Sequence, residues 1–175
     1  GIYSLSSQIK GVSVNKRTMT RQIGSILKHN LDAVRGRIAS ACHRAGRSTA
    51  DVTLVAVTKY VDHTVIAELV SLGLLDLGES RPQKIWEKAP LLPPEVRWHL
   101  IGHWQTNKVK RTMPLLHAAH SIDRDTLAEE ASREAGRAGR TLPVMLEMKL
   151  VDDAAKHGYA PDELSASMES LMALD

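Results

Sequence analysis

From Thr20 the hydrophobic positions recur at steps of three and four. Ile23, Leu27, Leu31, Val34, Ile38, Ala41 and Ala45 trace one stripe, which predicts a long amphipathic helix. Gly46 stands where such a helix stops. The period then changes: residues 53–58, TLVAVT, make a short apolar, β-branched run that reads as a buried strand. Asp62 is suited to cap the next helix, whose stripe is Val65, Ile66, Leu69, Val70 and Leu72, closed by Gly73. The alternation continues with strands at 74–78, 97–102, 117–123 and 143–151. Between and after them lie helices at 82–89, 105–113, 124–138 and 161–174.

One helix followed by five βα units defines an α/β fold with a parallel sheet covered by helices. Such units close either as a doubly wound sandwich or as a TIM-type β/α barrel, which takes eight units and about 250 residues. The periodicity leaves both open. No Gly-x-Gly-x-x-Gly follows the first strand, which disfavours a dinucleotide-binding Rossmann unit. At 175 residues with 43% hydrophobic and 25% charged residues, the composition is that of one globular domain. No apolar run approaches the roughly 20 residues that a membrane span needs. A lone cysteine, Cys42, permits no internal disulfide and suits a packed small residue on the first helix. The expected compartment is the cytoplasm.

Charge changes the picture in one respect. The formal net charge is +3, from 23 Lys and Arg against 20 Asp and Glu. Residues 1–18 hold Lys10, Lys16 and Arg17 and no acid, so the rest of the chain is balanced. The basicity belongs to a leader, read as an upstream remnant without ordered structure, and the domain is expected to span residues 19–175. A nucleic-acid partner is thereby disfavoured. Asn107, Lys108, Lys110 and Arg111 beside Trp104 form a basic cluster that reads as a solvated helix face.

In parallel α/β folds functional groups gather at the carboxyl ends of the strands. Those ends read Lys59-Tyr60, Gly78-Glu79-Ser80-Arg81, Gly102-His103, Asp123-Arg124 and Asp152-Asp153. Lys59 follows an apolar strand directly, so its amine is expected at the mouth of a low-dielectric core. Desolvation there favours the neutral amine that condenses with an aldehyde. The same position also suits a snorkelling or ion-paired surface lysine. His99 alternates with Trp98 and Leu100 and reads either as a hydrogen-bonded core histidine or as a pocket-lining group. His99 and His103 do not point to one ion on a strand, and no carboxylate stands obviously poised beside them, so no metal site is expected.

Several segments together resemble one family, the pyridoxal-phosphate homeostasis proteins, relatives of the proline-synthetase co-transcribed protein. They are LVAVTKYV at 54–61, LGESRPQKIWEK at 77–88, WHLIGHWQTNKVK at 98–110, SIDR at 121–124 and the turn Lys156-His157-Gly158. The resemblance runs from about residue 23 to the last residue. It implies a β/α barrel of the alanine racemase N-terminal type, represented by about five of eight βα units. It also implies pyridoxal 5′-phosphate (PLP) held as an internal aldimine on Lys59, with Ser80 and His99 as further cofactor-binding residues. The implied role is PLP homeostasis without a catalytic reaction, in a monomer that delivers cofactor to PLP-dependent apoenzymes.

The sequence departs from the family pattern at three places. The family's Phe-Gly-Glu-Asn reads Leu77-Gly78-Glu79-Ser80, which puts a shorter hydroxyl where an amide approaches the cofactor ring. A second lysine found in some relatives is Val61 here. The Gly-Met-Ser and Ser-x-x-Val-Arg-Ile-Gly segments that hold the phosphate are not in the sequence, so a C-terminally truncated piece of a longer protein is expected. The competing readings are a PLP-dependent racemase or decarboxylase domain, a nonfunctional fragment of the family, and an interaction module built on the basic residues.

Overall fold

The computed structural model describes residues 16–151 and 157–174. It contains two compact units, residues 1–49 and 50–175. In the first, helix α1 runs Lys16–Arg44. The helix therefore begins ahead of Thr20 and takes in residues 16–18 of the expected leader. Along the predicted stripe Leu31 is buried and Ile23, Leu27 and Ile38 are half-buried, with Cys42 buried one turn further on. Val34 is 39% exposed and drops out of the stripe. After Arg44 the chain turns at Gly46, whose φ of +63° is open to glycine at little cost.

The second unit holds five strands, β1 (Ala56–Val57), β2 (Asp76–Glu79), β3 (Arg97–Leu100), β4 (Leu116–Ile122) and β5 (Val144–Leu146). The helices are α2 (His63–Ser71), α3 (Pro82–Lys88), α4 (Val109–Thr112), α5 (Asp125–Arg137) and α6 (Pro161–Met172). Asp62 caps α2 as expected, its Oδ1 accepting from the backbone N–H groups of Thr64 at 2.9 Å and Val65 at 3.2 Å. Pro82 opens α3 at a position where the missing N–H costs nothing. α4 is a single turn preceded by a 3₁₀ segment, shorter than the helix expected over 105–113.

All four strand pairs are parallel and the spatial order is β1-β2-β3-β4-β5. This order settles what periodicity left open. Each crossover leads to the adjacent strand in the same sense, and right-handed crossovers of that kind lay every helix on one face. A doubly wound sheet reverses direction partway; a β/α barrel does not. The helix-facing side carries Leu77, Trp98, Leu100, Leu116, Ala119 and Ile122. They pack with Ile66 of α2, Ile85 of α3, Val109 of α4 and Leu127 and Ala131 of α5 in one buried cluster.

The opposite face is mixed. A Cβ built on Gly78 would touch Val55 and Ile101 side chains, each at 3.3 Å, so these three form an apolar floor. Toward the amino ends of the strands the same face turns polar, with Asp76 and His99. All strands but β4 are shorter than expected, two of them markedly. The run at 53–58 pairs only at Ala56 and Val57. The run at 143–151 pairs with β4 only at Val144–Leu146 and its flanks. The chain then changes partner: Tyr159 N–H donates to Glu147 O at 2.8 Å and Lys149 N–H donates to Tyr159 O at 2.9 Å, across a Met148–Tyr159 bridge.

Candidate functional site at the carboxyl ends of the strands

Lys59 lies one residue past Thr58, which itself extends β1 by donating its N–H to Gly78 O at 2.9 Å. The amine therefore emerges where the strand pattern put it. It is exposed, with Nζ 5.0 Å from the centre of the Tyr60 ring, so the expected desolvation is not found. The physical reason is position: β1 ends the sheet order, and Val57 beside it is 56% exposed. Thr58, by contrast, is fully buried. Its hydroxyl donates to Glu79 Oε1 at 3.0 Å, and its carbonyl accepts from Lys88 Nζ at 2.9 Å.

Glu79 shares the Leu77 face of β2, is fully buried, and forms an ion pair with Lys88, the last residue of α3. One residue further on, Ser80 sits half-buried against Gly102. A Cβ at residue 102 would fall 2.3 Å from Ser80 O, so only glycine lets the two chain segments approach. Lys88 was not singled out in the sequence. A carboxylate on a strand buried on both faces was the available sign that a cation must stand nearby.

His99 is buried at 5% exposure, and both ring nitrogens are engaged. Nε2 lies 3.0 Å from Asp76 Oδ1 and Nδ1 lies 2.9 Å from His120 Nε2. A carboxylate only accepts, so Nε2 donates to it, and the His99–His120 contact needs one proton between the two nitrogens. Arg97 also binds Asp76, through Nε at 2.8 Å and Nη2 at 2.5 Å. That guanidinium, more than the His99 contact, holds the Asp76 carboxyl below the usual carboxylate range despite burial. Burial pushes His117 and His120 below the ordinary histidine value, with His99 adding to both.

A second polar group stands at the carboxyl ends of β3 and β4. His103 Nδ1 donates to Asp123 Oδ2 at 3.0 Å, His157 Nδ1 is 3.7 Å from the same oxygen, and the two rings stack at 4.0 Å. Arg124 pairs with Asp123 and donates to Trp104 O at 3.2 Å. Asp152, Asp153 and Lys156 fall outside the described residues.

Both histidines therefore do have a carboxylate beside them, contrary to the sequence expectation, but in two separate groups. Among the described residues Asp76, His99 and His117 form one and His103, Asp123 and His157 the other. In both groups the carboxylate already has partners in the protein. Arg97 occupies both oxygens of Asp76. Rings stacked at 20° send their in-plane lone pairs along near-parallel lines, where a shared ion needs them convergent. In the basic cluster, Trp104 is fully buried, and Arg111 lies 4.0 Å above the ring of Trp86.

A sequential parallel sheet, helices on one side and an amine at the carboxyl end of the first strand define the class: a β/α-barrel domain of the alanine racemase type. Alanine racemase from Streptomyces coelicolor shares this fold with a TM-score of 0.53 over 82% of the chain and 39% of its own, at 19% identity. Curated relatives narrow it further. The pyridoxal phosphate homeostasis protein of Aquifex aeolicus is 35% identical over 145 residues, 82% of this chain and 64% of its own length. That of Mycobacterium leprae is 33% identical over 86% of this chain and 67% of its own. The chain belongs to the pyridoxal phosphate homeostasis protein family and spans about two thirds of the length of these relatives. PipY of Synechococcus elongatus, solved with PLP bound, superposes with a TM-score of 0.67 at 34% identity, over 81% of this chain and 65% of PipY. No family model matches the sequence. Among the described residues no helix is long and apolar enough to cross a membrane.

Proposed function

We propose that this chain binds pyridoxal 5′-phosphate covalently through Lys59 and serves PLP homeostasis, without a catalytic turnover of its own. The observation that carries the reading is the placement of Lys59: an exposed primary amine on an anchored backbone, at the carboxyl end of the first strand of an alanine-racemase-type sheet. The PLP-bound state of PipY supports it. When bound, the cofactor supplies an aldehyde carbon that takes the amine nitrogen in a C=N bond and releases its oxygen as water, with no electrons gained or lost.

The residues present fit such a group. Lys59 is open to solvent, so an aldehyde reaches its amine without local unfolding. Ser80 offers a hydroxyl at the neighbouring strand end, and Val55, Gly78 and Ile101 give an apolar floor. His99 acts from beneath that floor. Its two nitrogens are committed to Asp76 and His120, so its part is to hold the interior of the sheet in register. Delivery of PLP to apoenzymes belongs to the same reading.

The test is incubation with PLP, a visible spectrum, borohydride reduction and peptide mapping. A reduced pyridoxyl group on Lys59 is the expected result. Label spread evenly over surface lysines, or none, overturns the reading.

A further inference from the structure

We infer that Lys88, together with Glu79, is a positioning group for Lys59, acting through the backbone of Thr58. The inference rests on the reading of Lys59 as the anchoring amine. Lys59 is exposed, and the ring it approaches, Tyr60, is exposed as well, so its place is set by the residue before it. Thr58 is held at three atoms. Its N–H donates to Gly78 O at 2.9 Å, its hydroxyl donates to Glu79 Oε1 at 3.0 Å, and its carbonyl accepts from Lys88 Nζ at 2.9 Å. The first contact belongs to the sheet ladder. The other two come from an ion pair at the helix-facing side, with Glu79 fully buried and Lys88 8% exposed.

This arrangement is costly for a purely structural purpose. Burying two charges is repaid only where geometry and extra hydrogen bonds are good. Here Glu79 Oε1 receives both Thr58 and Lys88, and Oε2 has no hydrogen-bond partner among the described residues. What the pair secures is the orientation of the peptide that joins Thr58 to Lys59. β1 pairs with β2 over two residues only, so the ladder alone gives the strand end little stiffness. α3 supplies the missing fixed point, its last residue returning to the carboxyl end of β1. An amine displaced by an ångström from its working position loses on the order of a hundredfold in effective reactivity.

Two variants of the full chain separate this role from simple stability. Leu127→Ala empties part of the core under α5 and leaves Thr58, Glu79 and Lys88 unchanged, so it lowers the urea midpoint while leaving pyridoxyl labelling of Lys59 near wild type. The double variant Glu79→Gln/Lys88→Met removes both charges and keeps the fold. It loses the donor to Thr58 O, so selective labelling of Lys59 over other lysines falls about ten- to a hundredfold. Both are read by PLP incubation, borohydride reduction and peptide mapping under native conditions. Labelling that falls with the urea midpoint in Leu127→Ala overturns the inference, as does wild-type selectivity in a folded double variant. If the wild-type chain itself is not labelled on Lys59, the underlying reading fails first and this inference with it.

Discussion

A side chain at Gly102 would place its Cβ 2.3 Å from the carbonyl oxygen of Ser80 and 2.9 Å from its Cα. The two residues end neighbouring strands, and their backbones touch because one has no side chain. Gly102→Ala therefore forces backbone apart and is expected to cost about 3 kcal/mol, at the upper end for overpacking. Gly136 in α5 has nothing within 4 Å of the position that an added methyl would take, so Gly136→Ala is expected to stabilise by about 0.5–1 kcal/mol through helix propensity. Urea midpoints of the two variants moving in opposite directions check both halves. A neutral Gly102→Ala would mean that the rim of the site is plastic.

Lys59→Ala separates the amine from the fold. The side chain is exposed, and the buried contacts at this strand end belong to Thr58. Stability is expected within about 0.5 kcal/mol of wild type, with all selective pyridoxyl labelling gone. A large loss of stability would show that Lys59 is a structural residue.

The two histidines whose rings lie beside His99 predict a pH response with a definite sign. Burial lowers His117 and His120 below their ordinary value of 6.5, so as pH falls below that value the unfolded chain takes up protons before the folded one. Stability is then lost as pH falls from about 6.5 toward the lowered folded values. Asp76, lowered chiefly by Arg97, adds a second loss in more acid solution. Its contribution is present above the ordinary value of 3.8 and disappears as pH falls through the folded one. Urea midpoints at pH 7.5 and 5.5 should show the first fall. His117→Gln/His120→Gln should flatten it, the glutamine at 120 still able to donate to His99. An unchanged slope in that variant assigns the response to other groups.

How much of this was legible in the sequence depends on whether a feature is local. Asp62 as a cap, Pro82 at a helix start and the turn at Gly46 need only neighbouring residues, and each is found where the pattern put it. The opposite facing of His99 to Trp98 and Leu100 follows from strand alternation alone and also holds. The extent of strands was less legible because it is set by partners. The nine apolar and polar residues at 143–151 are extended enough to read as one strand, yet the chain leaves β4 after Leu146 and bridges Tyr159. Sequential strand order, which distinguishes barrel from sandwich, is likewise a property of the sheet and not of any segment. At the site, the position of Lys59 was readable from one strand end. Its exposure was not, because that depends on what flanks β1. The Glu79–Lys88 pair joins a strand to the far end of the following helix, and only the crossover geometry brings the two charges together.

That pair makes the sharpest energetic prediction. Lys88→Met alone leaves Glu79 fully buried with its charge uncompensated, and removing one partner of a buried pair typically costs about 3–5 kcal/mol. Glu79→Gln alone leaves a buried ammonium and is expected to cost a similar amount, softened by the acceptor that glutamine retains. Removing both charges together eliminates the desolvation cost as well as the attraction. The double variant should therefore lie within about 1 kcal/mol of wild type, since a buried pair exchanged for neutral groups of similar volume is often nearly neutral. Thr58 still donates its hydroxyl to the amide oxygen that replaces the Glu79 carboxylate in that variant, so the carboxyl end of β1 stays attached to β2. A double-mutant cycle by urea denaturation then gives a coupling larger than an exposed ion pair such as Lys28–Asp32 or Lys84–Glu87 could, these being solvated i,i+4 and i,i+3 contacts. Additive losses in the double variant would mean that the two side chains do not face each other in solution, and the anchoring of Lys59 through Thr58 would lose its physical basis.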